Sequence, residues 1–227
     1  MNRIIKKLKN IIRVFLTVLL GNNFEKLEKK NLDNISIASF DVFDTLIIRT
    51  GIKRPTDVFD LVDSEDIDFK TKRIMAEAKA RSKSNLEDIK LTDIYLNLFS
   101  EDINKVREYE QKEINAELSV CKANPKAYTF YNKIKNSGKR IIIVSDMYLK
   151  KETIEKLLIN CHYDINDVPI YVSSEYGKTK RSGSLFKEVL KNEKVDASKV
   201  IHIGDNLMSD YFNSKKCGIV GYLYNGK

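Results

Sequence analysis

The sequence predicts an α/β fold, a parallel sheet with a block of helices inserted after its first strand. Three observations carry that prediction. From Asn124 onward, short β-prone runs alternate with segments of helical periodicity, the order that right-handed crossovers between parallel strands require. Between Thr56 and Leu118 the apolar residues recur at helical spacing instead. Polar residues able to do chemistry follow the strand-like runs, and an open parallel sheet places its sites at the carboxyl ends of its strands.

Residues 1–34 form a helix and a connector. Ile4, Ile5, Leu8, Ile11, Ile12, Phe15, Val18 and Leu19 share one helical face, with Arg3, Lys6, Lys7, Asn10, Arg13 and Thr17 opposite. A basic amphipathic helix of residues 1–20 has three open destinations: an anionic membrane interface, a partner, or its own domain. The run Val14 to Leu20 is too short to span a bilayer. Leu20-Gly21-Asn22-Asn23 lacks the small-x-small pattern of a signal-peptide cleavage site. Glu25 to Asn34 reads as a charged connector. Residues 35–51 hold the first strand and the loop after it. Residues 52–121 hold the insertion, in which Pro55-Thr56 opens one helix, Phe69 to Ser82 forms a second, Thr92 caps a third and Ile103 to Leu118 forms a fourth. In residues 122–227, Asn124-Pro125 starts a helix that ends at Gly138. Strands over Arg140–Val144, Ile170–Ser173, Val200–Ile203 and Ile219–Tyr224 then alternate with helices over Lys151–Ile159, Ser184–Asn192 and Leu207–Lys216.

A chain of 227 residues can bury one good core and a smaller appended one. Its 42% hydrophobic and 32% charged residues are those of a folded globular protein and argue against disorder. The net charge is +8, but Arg3, Lys6, Lys7, Lys9 and Arg13 precede the first acidic residue, Glu25. The body is therefore close to neutral and carries no basic stripe interleaved with aromatics, so nucleic acid is not an expected partner. Cys121, Cys161 and Cys217 are odd in number, widely spaced and without a CxxC pair. They read as reduced, structural thiols of a cytoplasmic protein, peripheral on the inner face of the membrane if the first helix binds lipid.

Four groups stand at strand ends. Asp41 follows Ile35 to Phe40, Ser145 follows Ile141 to Val144, Lys178 and Lys180 follow Ile170 to Val172, and Asp205 with Asp210 follows Val200 to Gly204. Carboxylate, hydroxyl, ammonium and carboxylate would meet at one edge. His202 lies within an apolar strand and reads as a core residue.

The order and spacing of these groups resemble the haloacid dehalogenase superfamily of phosphatases and related hydrolases. Phe40-Asp41-Val42-Phe43-Asp44-Thr45-Leu46 matches its first motif, Asp-x-Asp-x-Thr, except at the second Asp. Ser145 fits the second motif, and Lys180, six residues before Phe186, fits the third with Arg181 replacing its proline. Gly204-Asp205-Asn206-Leu207-Met208-Ser209-Asp210 matches the fourth, Gly-Asp-x-x-x-x-Asp, in full. The resemblance implies a Rossmann-like core of residues 35–51 and 122–227, with residues 52–121 as an α-helical cap over the active site.

It further implies a Mg²⁺-dependent phosphatase acting on a small phosphorylated substrate. Asp41 would be the nucleophile that passes through an aspartyl-phosphate. Mg²⁺ would be held by Asp41, the Phe43 carbonyl and Asp205, with Asp210 supporting the site through water or by holding the lysine. Ser145 would donate to a phosphate oxygen, and Lys180, rather than Lys178, would offset the charge around the nucleophile. Asp146 and Arg49, the latter with Lys53 and Arg54 at the cap hinge, are candidates for substrate contact.

Phe43 is the departure. Phosphatases of this superfamily carry an acid/base Asp there, and a phenyl ring transfers no proton. Asp44, one residue on, is the candidate replacement. Haloacid dehalogenases also have an aromatic at the matching position and use no metal, so carbon–halogen cleavage is one rival reading. A catalytically weak phosphate-binding or scaffolding module is the other. Arg54-Pro55-Thr56-Asp57-Val58-Phe59, Val144 to Leu149, Ser173-Ser174-Glu175 and Ser182 to Phe186 resemble a narrower branch found beside bacterial glycosyltransferases. That branch implies a sugar phosphate as substrate and a glycosyltransferase contact through residues 1–20.

Overall fold

The computed structural model describes residues 2–100 and 102–226; for residues 2–4, 6–10 and 13 the description is of the backbone alone. The side chains of Arg3, Lys6, Lys7, Lys9 and Arg13 thus lie outside the described residues. The chain opens with α1 (Asn2–Leu20) and α2 (Phe24–Glu28), then β1 (Ile37–Phe40) and β2 (Ile47–Arg49). A 3₁₀ segment, Pro55–Leu61, leads into α3 (Phe69–Lys83), α4 (Leu91–Phe99) and α5 (Ile103–Val120). The chain returns through β3 (Cys121–Ala123), α6 (Pro125–Asn136), β4 (Arg140–Ser145), α7 (Lys151–Asn160), β5 (Ile170–Val172) and the short α8 (Ser173–Tyr176). It ends with α9 (Ser184–Glu193), β6 (Val200–Gly204), a π-helical turn Leu207–Asn213, α10 (Ser214–Lys216) and β7 (Val220–Leu223).

The main sheet runs β5-β4-β1-β6-β7, and every pairing in it is parallel. All four residues of β1 are buried, as are β6 and all of β4 after Arg140. Helices cover both faces, which is why these strands read as continuous apolar runs. The order reverses around β1: the chain builds outward to β4 and β5, then returns to lay β6 and β7 on the other side. A crevice opens at such a switch point, and β1 delivers Asp41 into it. Register fixes the neighbours, because Phe40 pairs with both Ile143 and Ile203.

The inserted segment is bracketed by the antiparallel pair β2–β3, in which Arg49 faces Cys121. Between them the described residues form helices, turns and bends. Buried charges organise this block. Arg73 donates to Glu113 at 2.7 and 2.8 Å, Tyr95 donates to the same carboxylate at 2.6 Å, and Phe59 and Tyr148 stack against the guanidinium.

Two sequence expectations need correction. The segment expected as a connector contains α2, which buries Phe24 and Leu27, with Phe24 against Phe130 and Tyr224. Its two apolar residues are three apart on one helical face, enough to dock a short helix despite the charges around them. Thr92 does not cap α4: it lies in the first turn and its hydroxyl donates to Glu110, while Asp93 accepts from the Lys90 amide. Helix α6 starts at Pro125, as the Asn124-Pro125 signal implies, and the Asn124 side-chain amide donates to the Thr45 carbonyl at 2.8 Å and the Tyr224 hydroxyl at 3.0 Å.

Candidate active site

Four loops at the carboxyl edge of the sheet bring the charged groups together. Asp41 is anchored by its amide, which donates to the Ile203 carbonyl at 2.9 Å. Lys180 comes from the loop after α8, is buried, and donates through Nζ to Asp41 and, at 2.7 Å, to Asp210. Lys178 goes elsewhere, pairing with Glu188 at 2.6 Å. Ligand oxygens of Asp41, Asp205 and Asp210 all lie within 4.8 Å of one another.

Each charge feels its burial and its neighbours. Burial and the carboxylates of Asp210 and Asp205 push Asp41 well above the usual carboxylate range, against the pull of Lys180. Burial pushes Asp205 up to about 7, with Asp210 and Asp44 adding to it. Asp210 behaves oppositely. Burial opposes its charge, but the Lys180 ammonium and the His202 ring overcome that and hold it below the usual range. Lys180 stays protonated, since burial disfavours the ammonium less than Asp210, Asp41 and Asp146 favour it. With all groups ionised, three carboxylates face one ammonium and His202, whose pKa burial lowers, adds no charge at neutral pH. The deficit of two positive charges, surrounded by hard oxygen donors, fits Mg²⁺.

Asp210 is held on every side. A carboxylate only accepts, so His202 carries its proton on Nε2, donates to Asp210 Oδ1 at 3.2 Å and accepts from the Ser39 hydroxyl on Nδ1 at 2.7 Å. The Asn206 amide donates to Asp210 Oδ2 at 2.9 Å. A Cβ at position 204 would collide with the Asp210 carboxylate, which is why glycine precedes Asp205. The π-helical turn, in which the Tyr211 amide reaches the Asn206 carbonyl at 3.3 Å, carries Asp210 into this position. His202 and Ser39 are therefore site residues that sequence reasoning passed over. Both look like core positions, and only the β1–β6 register, which pairs Ser39 with His202, reveals them.

Ser145 ends β4 and is buried. Its neighbour Asp146, a candidate for substrate contact, has both oxygens engaged by backbone amides: Lys180 at 2.7 Å and Arg181 at 3.1 Å. That pair holds the lysine loop. Glu87 of the insertion grips the same loop from outside, accepting from the Thr179 amide at 2.8 Å and the Ser182 and Ser184 hydroxyls at 2.6 and 2.5 Å. Nothing in the sequence spacing links Glu87 to Thr179.

Phe43 leaves the loop toward a cavity of about 530 Å³ between the core and the insertion, lined also by Arg49, Phe59, Arg81, Met147 and Tyr148. Arg49 lies over the Phe43 ring at 4.3 Å and pairs bidentately with Glu117 at 2.8 Å. Its charge is already matched, so it reaches the cavity as a wall more than as a free cation. Lys53 and Arg54 lie in the exposed approach to the 3₁₀ segment, where Arg54 pairs with Asp57. Asp44 is exposed, at φ 57°, and lines a second cavity of about 580 Å³ with Asp205, Asn206, Val14, Thr17 and Val18. The two cavities flank the Asp41 loop, and the residue expected to replace the missing acid lies on the side away from Phe43.

Three kinds of relative match this chain. A family model for haloacid dehalogenase-like hydrolases matches residues 35–212. Haloacid dehalogenase-like hydrolase domain-containing protein 3 of Danio rerio is 34% identical over 74 residues, 33% of this chain and 31% of that protein, so the chain spans about a third of this relative's length. Among solved structures, a 2-haloacid dehalogenase from Pseudomonas syringae pv. Tomato DC3000 matches with a TM-score of 0.57 at 15% identity, over 85% of this chain and 88% of that one. A haloacid dehalogenase family enzyme of Bacteroides thetaiotaomicron, solved as a mutant with magnesium and inorganic phosphate, matches with a TM-score of 0.58 at 15% identity, over 85% and 96%. At such identities the structures speak for the fold.

Proposed function

As the chain belongs to the haloacid dehalogenase-like hydrolase family, we propose that it is a Mg²⁺-dependent phosphatase that transfers the phosphoryl group of a small phosphomonoester to Asp41 and then to water. The observation that carries this reading is the surplus of negative charge at the sheet edge, where three carboxylates lie within 4.8 Å of one another and Lys180 pairs with two of them. Asp41, Asp205 and the Phe43 carbonyl would hold the ion, with Asp210 aiming Lys180. Bound there, Mg²⁺ would neutralise the carboxylates and polarise a phosphoryl oxygen.

An oxygen of Asp41 attacks phosphorus, the bond from phosphorus to the leaving oxygen breaks, and an aspartyl-phosphate forms. Lys180 stays protonated and stabilises the charge that gathers on the equatorial oxygens, and Ser145 donates to one of them. Water then attacks phosphorus, the bond to Asp41 breaks, and the water proton leaves with phosphate and solvent. Phe43 supplies no proton to the leaving oxygen, so the enzyme acts best on esters whose leaving group departs readily as an anion. The inserted helices act as the cap, with the cavity beneath them receiving the organic part of the substrate, a sugar being one candidate.

One observation favours a second reading. Phe43 and the largely apolar cavity it enters also suit a 2-haloacid, whose carbon–halogen bond Asp41 would break to form an ester. Turnover of a panel of phosphomonoesters and 2-haloacids, with Mg²⁺ and with EDTA, separates the two. Phosphate release that needs Mg²⁺ is expected; halide release indifferent to EDTA would replace the phosphatase by the dehalogenase.

A further inference from the structure

Helix α1 turns its apolar side away from the protein. Ile11, Ile12, Val14, Phe15, Val18 and Leu19 are between 49% (Ile12) and 67% (Val18) exposed, whereas Leu16, Thr17 and Leu20 are half-buried. At 3.6 residues per turn the six exposed side chains fill an arc of roughly 160°. The half-buried residues lie outside that arc. The helix is also firmly rooted. The Gly21 amide closes on the Thr17 carbonyl at 2.8 Å, Asn22 donates to the Leu223 carbonyl at 2.9 Å, and the Asn225 amide donates back to Asn22 at 2.8 Å. A side chain at Gly21 would run into the Thr17 carbonyl and Asn225. The stripe is thus carried outward by a rigid root, and packing on its own domain does not account for it.

We propose that α1 docks the protein, apolar face down, on an anionic lipid surface. The occupant follows from charge: Arg3, Lys6, Lys7, Lys9 and Arg13 occur before any acidic residue in the sequence. A second copy would bring only further cations and no opposite charge for them, whereas anionic headgroups match them. No described helix is long and apolar enough to cross a membrane, so the helix lies in the interface plane. Val14, Thr17 and Val18 also wall the cavity holding Asp44 and Asp205. Docking therefore sets that mouth beside the headgroups.

The chain contains no tryptophan, so one introduced indole reports its own surroundings. Full-length Phe15→Trp is mixed with vesicles of phosphatidylcholine containing phosphatidylglycerol, some carrying doxyl-labelled lipid. Ile159→Trp, on an exposed position of α7, is the control. Emission of the Phe15→Trp protein is expected to shift to the blue and be quenched by the doxyl lipid, with the control unmoved. Lys6→Gln and Lys7→Gln in that background should weaken binding by about fivefold per cation, and high salt should weaken it further. No shift with anionic vesicles at low salt would overturn the proposal. So would an equal response to pure phosphatidylcholine, or a blue shift without lipid that grows with protein concentration, which would assign the stripe to a second copy. Because no step depends on turnover, failure here is distinct from failure of the phosphatase reading.

Discussion

The carboxyl edge of the sheet and the inserted helical block both bury charge, and they balance it differently. In the block, each buried glutamate has its own arginine: Glu113 pairs with Arg73, which also reaches Glu77 at the margin, and Glu117 pairs with Arg49. At the sheet edge, Asp41 and Asp210 share Lys180, and Asp205 stands within 4.8 Å of both. A matched pair satisfies itself and fixes packing; a surplus needs something from outside. On the proposed function, that asymmetry makes the edge the reactive region and the block the frame around its cavity.

The largest effect is expected from the nucleophile. Asp41→Asn should lower kcat by at least about 10⁴-fold while leaving the thermal unfolding transition in place, as measured by steady-state kinetics beside calorimetry. Turnover close to wild type would remove Asp41 from the mechanism. The complementary change strikes a matched pair: Arg73→Met strands Glu113 in the interior and should cost about 3–5 kcal/mol in denaturant unfolding. Adding Glu113→Leu should recover much of that loss, since the double change removes both charges. If the single variant proves neutral, the pair is not the framework it is taken to be.

Those two regions also differed in how far the sequence revealed them. The edge was legible because its groups sit at strand ends, where position along the chain predicts position in space. Asp41, Asp205 and Asp210 follow from their places after strands, Lys180 over Lys178 from the family resemblance, and they meet. What spacing could not supply was register and long-range pairing. His202 reads as a core residue and Ser39 draws no reading of its own until β1 and β6 are set side by side. Arg49 looked like a free cation because Glu117, its partner 68 residues on, has no local signature. Asp146 looked like a substrate contact, yet its oxygens hold the backbone of Lys180 and Arg181. The helical block was legible from periodicity as a set of helices, but its buried network was not, since a charged residue on a helix reads as surface unless its partner is known.

A smaller effect should follow from restoring the absent acid. Phe43→Asp should raise turnover of alkyl phosphates by roughly tenfold, below the 10²–10⁴-fold that general acid catalysis typically supplies, because Arg49 over that position favours the ionised, non-donating form. Aryl phosphates should gain less. The dependence of kcat/KM on leaving-group pKa measures this, and an unchanged slope would mean that the leaving oxygen already finds a donor.

The smallest concerns pH. With the Asp205 carboxyl pushed up to about 7 by burial, Asp210 and Asp44, protons compete with Mg²⁺ below that pH. Affinity by calorimetry should fall by up to about tenfold per unit as pH drops below 7, and level off above it. Affinity flat from pH 5 to 8, in a range chosen to straddle that value, would show that Asp205 is already ionised at pH 5 without metal, and hence that its neighbours disfavour its charge less than their proximity implies.

The central claim is that the uncompensated charge gathers Mg²⁺ and phosphate so that Asp41 can become phosphorylated. Acid-quenched single-turnover reactions, digested and mapped by mass spectrometry, test it most directly. With an aryl phosphate and Mg²⁺, the peptide containing Asp41 should carry one phosphoryl group, lost in EDTA and in Asp41→Asn. An unmodified Asp41 peptide during active turnover, or an Asp41 ester formed from a 2-haloacid without metal, would contradict it.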